Sequence, residues 1–321
     1  MVYNFCERRS SEGELKRILD MKCYICPRKC GAERNKERGF CGCTDKISVN
    51  KAFPHFWEEP CISGTNGSGA IFFEGCQLHC LFCQNHLISS GEKNLPSFAD
   101  NSSLTQNVDL KSIFYTLRDK GVHNINLVTP DAHIPKILPI IKDIKSEGFS
   151  LPFIMNCSGY ETEEMIKALD DTIDIYIPDF KYMSPLLAKK YSSAIDYPNV
   201  AQKAIDLMVK QQPNCVFDEN GILKRGVIVR HLVMPNNVHD SKKILHYLHS
   251  NYGDSIYISI MSQYTPVKNF SYRELNRKIT EEEYNELIDY ALSIGIKNSY
   301  IQEREAANES FIPNFSENSI I

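Results

Sequence analysis

Three cysteines crowded into residues 76–83 constrain this chain more than any other feature. The stretch reads Cys-Gln-Leu-His-Cys-Leu-Phe-Cys, a C-x3-C-x2-C spacing. It follows Ala70-Ile-Phe-Phe, an apolar run expected to form a buried strand. Three thiolates this close can wrap one compact cluster, and iron–sulfur clusters are held by cysteine thiolates, normally four. Three local ligands leave one iron of a [4Fe–4S] cluster open, and an open metal position can chelate a small molecule. The alternative is a zinc site that borrows a fourth ligand such as His79.

The other cysteines are distributed unevenly. Of 12 in all, Cys23, Cys26, Cys30, Cys41 and Cys43 form an N-terminal group, with Cys6 before it and Cys61 after it. Beyond residue 90 only Cys157 and Cys215 remain. Met1-Val-Tyr-Asn-Phe-Cys carries no apolar signal-peptide core, and no run is long enough for a transmembrane helix. A cytoplasmic location is expected, where clustered cysteines more often bind metal or do redox chemistry than pair as disulfides. The net charge is −4, so neither nucleic acid nor a membrane surface is an expected partner. The organisation expected is a cysteine-rich segment over 1–65, a main body over 66–270 and a C-terminal helix and tail over 271–321.

The body alternates strands and helices. Leu110, Ile113, Phe114 and Leu117 fall at helical spacing, with Gly121 to cap the end. Strands are expected at Ile125-Asn-Leu-Val-Thr, Phe153-Ile-Met-Asn, Ile173-Asp-Ile-Tyr-Ile, Gly226 to Met234 and Ile256 to Met261. Helices are expected over 137–145, with Pro139 in the first turn, from about Thr162, over 201–210 and over 242–249. A last helix starts with the capping box Thr280/Glu283 and shows the apolar face Tyr284, Leu287, Ile288, Ala291 and Leu292. Leu95 to Gln106 is the most loop-like stretch. Six βα units in series imply parallel strands joined by right-handed crossovers. Periodicity leaves an open doubly wound sheet and a full or partial barrel as alternatives. Either puts the active site at the C-terminal strand ends.

The cysteine triplet, with Phe82 before its last member, resembles the signature of the radical S-adenosylmethionine (SAM) superfamily. His55-Phe-Trp-Glu-Glu-Pro-Cys-Ile-Ser-Gly, Phe72-Phe-Glu-Gly-Cys, Cys83-Gln-Asn, Asn126-Leu-Val-Thr-Pro, Pro178-Asp-Phe-Lys-Tyr, Arg230-His-Leu-Val-Met-Pro, Ser262-Gln-Tyr and Ile301-Gln-Glu resemble the pyruvate formate-lyase activating enzyme-like group. The likeness covers about residues 20–315. It implies an α/β fold, a partial (β/α)6 TIM-like barrel behind the N-terminal cysteine-rich segment. It implies an oxidoreductase in which a [4Fe–4S] cluster reductively cleaves SAM to a 5′-deoxyadenosyl radical that abstracts hydrogen. Reduced flavodoxin or ferredoxin is the implied electron donor, and a protein or peptide is a possible substrate.

Residue by residue, the resemblance makes Cys76, Cys80 and Cys83 the cluster ligands, with Phe82 near the adenine and Asn85 bracing the loop. Thr129 and Asp131 stand where many relatives carry Gly-Gly-Glu, and could receive the SAM ammonium; a simple strand-ending turn is the alternative. Asn156 and Ser158 are candidates for the ribose or carboxylate. Lys181 could pair with the SAM carboxylate, with Asp179 fixing it. Arg230 and His231 lie deep in an apolar strand, so at least one is expected to point inward. A buried arginine needs an anion, whether SAM, substrate or a structural carboxylate. Gln263 and Tyr264 are candidates for the substrate side, and Gln302 and Glu303 for closing the barrel's open edge, with a structural role expected for all four. Cys23, Cys26, Cys30 and Cys41 form the set the family leads one to expect, for zinc or a second cluster. His55, Trp57, Glu58 and Glu59 suggest either an exposed loop or a lid over the barrel mouth. The implied activity is hydrogen abstraction from a protein glycine. The alternatives are a radical SAM enzyme for a small molecule or another peptide, and a non-catalytic iron–sulfur or zinc electron carrier.

Overall fold

A computed structural model describes residues 22–89, 109–302 and Phe315. Cys6, the stretch 95–106 and Glu303 lie outside the described residues. The strands are β1 (Val49–His55), β2 (Ser68–Phe73), β3 (Ile125–Val128), β4 (Phe153–Cys157), β5 (Ile175–Pro178), β6 (Val216–Phe217), β7 (Leu223–Leu232), β8 (Tyr257–Met261) and β9 (Ser299–Ile301). They form one open sheet in the order β1-β2-β3-β4-β5-β7-β8-β9, with β6 paired to β7. From β2 to β9 every step along that path is parallel, whereas β1 is antiparallel to β2. All six expected strands are present. The sheet also begins earlier than the first of them, at β1.

The helices are α1 (Pro60–Ser63), α2 (His86–Ser89), α3 (Leu110–Asp119), α4 (Ile134–Ser146), α5 (Glu163–Ala168), α6 (Pro185–Ser192), α7 (Tyr197–Gln211), α8 (Val238–Tyr252) and α9 (Glu281–Ser293). Sequence chemistry sets their ends. Asp109, Thr162 and Ser184 accept backbone N–H bonds as N-caps, and Thr280 and Glu283 form the expected reciprocal box. In α4 it is Pro135 that takes the first turn, while Pro139 lies inside the helix. The carbonyl left without a donor by Pro139 is that of Pro135, so the loss falls at the helix start, where the chain is least committed.

Apolar stripes dock the helices. In α3, Leu110, Ile113, Phe114 and Leu117 are all buried, each worth about 1.5–3 kcal/mol relative to exposure. In α9 the buried stripe is Tyr284, Leu287 and Ala291, and Leu292 is exposed. The inner strands are largely apolar, as expected of parallel strands covered by crossovers: all six residues of β2 are buried. Among the described residues no helix is long and apolar enough to cross a membrane.

Candidate active site

Side chains from β1, β4, β7, β8 and β9, and from the turns after β2, β3 and β5, line a single cavity of about 570 Å3. The sheet therefore wraps around it. Cys76, Cys80 and Cys83 reach this cavity from the turn after β2. Gly75 makes that turn possible. It takes φ +81°, and a Cβ there would meet the Cys43 Sγ at 2.1 Å and the Cys41 carbonyl at 2.6 Å. His79, inside the loop, also takes a positive φ.

Each of the three sulfurs accepts one hydrogen bond. Leu78 N–H donates to Cys76 Sγ (3.4 Å), Ser192 Oγ to Cys80 Sγ (3.1 Å) and Ser89 Oγ to Cys83 Sγ (3.3 Å). Burial and the neighbouring sulfurs push the Cys76 and Cys83 thiols up, so their ionised forms need positive charge close by. Three soft donors around one cavity, each already hydrogen-bonded, can hold an iron–sulfur cluster with one iron facing the cavity.

One cation that acts on these sulfurs is Lys181, whose Nζ lies 2.5 Å from Asp179 Oδ2. Burial works against its charge, but Asp179 and the Cys80 sulfur outweigh it and hold the ammonium protonated. Both residues follow β5, so a parallel strand end aims them at the cysteine loop. Phe82, Asn85, Thr129, Asn156 and Ser158 also line the cavity. Phe82 packs edge-on against Tyr182, Tyr191 and Tyr264. Asn85 opens α2, its carbonyl accepting from Ile88 and Ser89 N–H.

Arg230 points inward from β7 and meets two carboxylates. Its Nε donates to Glu59 Oε1 at 2.8 Å, and one Nη contacts both Glu58 and Glu59. Glu58 also accepts from Asn126 Nδ2 of β3 at 2.8 Å. The segment carrying these glutamates leaves β1 at His55, which pairs with Ser68, the first residue of β2. It therefore lies at the N-terminal ends of the parallel strands. Glu58 and Glu59 belong to the cavity's floor while Trp57 beside them is 64% exposed, so the expected lid over the mouth is corrected to a floor segment with an exposed Trp. Arg230 finds its anion in that floor.

Two expected cofactor contacts are not in the cavity. His231 follows Arg230 and so faces the other side of β7. Its Nδ1 lies 2.7 Å from the Phe180 carbonyl and its Nε2 2.8 Å from Ser241 Oγ. Burial holds its pKa down at about 4, so the ring is neutral. Asp131 turns inward after Thr129, which adopts a left-handed φ of 56°. It is buried, with the Glu161 carboxyl and the Gln77 side chain as its hydrogen-bonding neighbours.

Gln263 and Gln302 do line the cavity. Gln302 Nε2 donates to Gln263 Oε1 (3.1 Å) and Ser262 N–H donates to Gln302 Oε1 (3.0 Å). Tyr264 is structural, its hydroxyl donating to the Leu275 carbonyl at 2.7 Å. Ser89 and Ser192 escaped the sequence reading. Nothing but the fold brings Ser192 to Cys80, 112 positions away. Among the described residues no three His, Cys, Asp or Glu side chains converge on a single-ion geometry.

A family model described as a 4Fe-4S single cluster domain matches residues 63–190, the span that holds the cysteine loop. A [4Fe–4S] cluster is the cofactor that this match supports. The chain is 29% identical over 283 residues to an uncharacterized protein of Methanocaldococcus jannaschii, spanning 87% of this chain and 76% of that protein. It is 26% identical over 125 residues to a putative glycyl-radical enzyme activating enzyme of Haemophilus influenzae, spanning 37% of this chain and 43% of that one. Among solved structures, a domain of a pyruvate-formate lyase-activating enzyme from Bacteroides vulgatus overlaps with a TM-score of 0.39 at 12% identity, covering 53% of this chain and 92% of that chain. Methylornithine synthase gives 0.45 at 13%, covering 90% and 74%. These overlaps are loose.

Proposed function

We propose that this chain is a radical SAM oxidoreductase that abstracts hydrogen from a protein or peptide, with a protein glycine as the favoured target. The observation that carries the reading is the placement of Cys76, Cys80 and Cys83 over one cavity that also holds the Asp179–Lys181 pair. In this reading the three cysteines hold the cluster within a partial barrel. When bound, the cluster supplies the electron that cleaves SAM to methionine and the 5′-deoxyadenosyl radical.

The chain's own residues bind, orient and exclude water. Lys181 takes the methionine carboxylate, and Asp179 holds the lysine in place. Thr129, Asn156 and Ser158 offer hydrogen bonds along the same wall, and Phe82 offers an apolar face for the adenine. The paired charges of Arg230, Glu58 and Glu59 close the floor.

The choice of a macromolecular substrate rests on space and on one relative. A drug-sized ligand fills a cavity of roughly 300–1,000 Å3, so SAM and a cluster take up most of about 570 Å3. A substrate that presents one residue at the mouth fits better than a second enclosed molecule. The Haemophilus relative's description as an activating enzyme points the same way.

The test is formation of 5′-deoxyadenosine. Protein reconstituted anaerobically is given dithionite, SAM and an extract from cells grown on α-deuterated glycine, split by ultrafiltration. Deuterium in the nucleoside with the macromolecular fraction alone supports the reading. Transfer only with the small-molecule filtrate assigns a small substrate. No nucleoside from any mixture, with cluster-loaded protein, removes the enzyme reading altogether.

A further inference from the structure

The guanidinium of Arg28 ties the cysteine loop to the C-terminal end of α6. Its Nε donates to the Gln77 carbonyl (2.8 Å) and one Nη to the Leu78 carbonyl (3.3 Å). That Nη also donates to the Ser192 carbonyl (2.7 Å), and the other Nη to the Ser193 carbonyl (2.5 Å). Gln77 and Leu78 fall between Cys76 and Cys80. Ser192 is the last residue of α6, and Ser193 is its left-handed cap. A helix leaves its final carbonyls without intrahelical donors, and a cation is favoured at that end. Arg28 meets both needs and grips the loop with the same group.

The guanidinium is held in one orientation. It lies 4.6 Å from the Phe40 ring centroid and 5.3 Å from that of Tyr160, a cation between two aromatic faces. All four acceptors are neutral carbonyls, so these bonds leave its charge uncompensated. Asp196 is engaged by the Tyr160 hydroxyl instead, at 2.8 Å. A planar fork can serve carbonyls on two segments at once, whereas a lysine ammonium acts as a point charge.

Two further bonds depend on this junction. Ser192 Oγ donates to Cys80 Sγ at 3.1 Å, and Leu81 N–H donates to the Tyr191 carbonyl at 2.9 Å. Both join the loop to the last turn of α6, and both sit beside the carbonyls that Arg28 holds. The Ser192 hydroxyl therefore reaches its sulfur only while the helix end and the loop stay in register. Arg28 is the side chain that bonds to both.

We propose that Arg28 is a positioning residue for the cluster site: it sets the Ser192 hydroxyl against the Cys80 sulfur and fixes a positive charge beside the loop. Hydrogen bonds to ligand sulfurs and local charge both set a cluster's reduction potential. Reduction adds negative charge, so both effects favour the reduced form. The effect on potential rests on the proposed cluster at Cys76, Cys80 and Cys83; the clamp on the loop does not.

A double-mutant cycle on the reconstituted full chain tests this, with the midpoint potential as readout. Arg28→Lys keeps the charge and loses the fork. Its midpoint should fall about as far as that of Ser192→Ala. Adding Ser192→Ala to Arg28→Lys should then change little, because the sulfur bond is already lost. Ser89→Ala, whose hydroxyl serves Cys83, should lower the midpoint equally in either background. Arg28→Met also removes the charge and should fall further than Arg28→Lys. A wild-type midpoint in Arg28→Lys overturns the proposal, and so do Arg28→Lys and Ser192→Ala shifts that simply add. Amide hydrogen exchange of the metal-free protein is the second readout. In Arg28→Lys it should quicken in peptides holding Leu81 and residues 190–194, and stay unchanged over β4 and β5. Faster exchange throughout the chain would make Arg28 a general support of the fold and overturn the positioning role. Faster exchange confined to those peptides, in proteins that take up no iron, upholds the clamp and instead sinks the cluster at Cys76.

Discussion

Arg230 on β7 is tied to Glu59, which sits beyond the end of β1, by two hydrogen bonds at 2.8 and 2.5 Å, and Glu58 joins them. The three side chains are nearly buried. Removing one partner of such a group strands a buried charge, at about 3–5 kcal/mol. Arg230→Gln should therefore cost about that much in urea unfolding, and Arg230→Met/Glu58→Gln/Glu59→Gln should recover most of it. The pH dependence has a definite sign. Burial works to raise the Glu59 pKa, but Arg230 outweighs it and holds the folded value below the ordinary 4.5. The stabilisation is then complete above 4.5 and fades as pH falls through the depressed value. An Arg230→Gln protein that unfolds like wild type at pH 7 would exclude this role.

Asp131 and Glu161 give the opposite slope. Burial raises both carboxyl pKa values, and at Glu161 the neighbouring Asp131 raises it further. The folded pair keeps a proton that the unfolded chain releases, so stability falls as pH rises above the ordinary carboxylate range. Glu161 Oε1 accepts from Tyr160 N–H at 3.0 Å and from Ser158 Oγ at 3.3 Å, and the carboxyl also meets Asp131. In Glu161→Gln the carbonyl keeps the first two bonds and the new NH2 can donate to Asp131. The amide keeps that contact without the proton that the carboxyl pair must hold as pH rises. Unfolding at pH 5 and pH 8 should show a gain concentrated at pH 8. A loss there would disprove the shared-proton arrangement.

Lys181 provides a binding test. A hydrogen bond to a charged partner contributes about 1.5–3 kcal/mol, or roughly 10- to 100-fold in affinity. Lys181→Met should weaken SAM binding to the reconstituted protein by that factor with iron content unchanged. Asp179→Asn should weaken it less, because the lysine stays but loses its anchor. Equal affinity in Lys181→Met and wild type would reject the carboxylate contact.

What could be read from the sequence was what is local or periodic. The cysteine triplet, the six parallel strands and the capping box at Thr280 all depend on neighbours a few positions apart. Side-chain direction on an inner strand was half legible. Alternation requires Arg230 and His231 to face opposite ways, but it does not say which faces in. The fate of Asp131 turned on the left-handed φ at Thr129, for which a Thr-Pro pair carries no signal. The floor built from Glu58 and Glu59 depends on β1 running antiparallel to its neighbour, and the reading of the body began after that strand. The serines at the sulfurs are set by tertiary contact alone.

Those serines allow the cluster site to be tuned without breaking it. Ser192 Oγ donates to Cys80 Sγ and Ser89 Oγ to Cys83 Sγ. Hydrogen bonds to ligand sulfurs set reduction potential, together with charge and exposure. Reduction adds negative charge to the site, so a donor favours the reduced form. Ser89→Ala removes a hydroxyl and little else, so iron content should hold while the midpoint potential falls. Ser192→Ala should do the same, although it also removes a partner of the Tyr182 hydroxyl. Tyr182→Phe supplies the control, because it loses that second bond and keeps the sulfur contact. A potentiometric titration should give lower midpoints for both serine variants, the lowest for the double, and a value near wild type for Tyr182→Phe. If Tyr182→Phe falls as far as Ser192→Ala, the effect belongs to packing around the tyrosine and not to the sulfur.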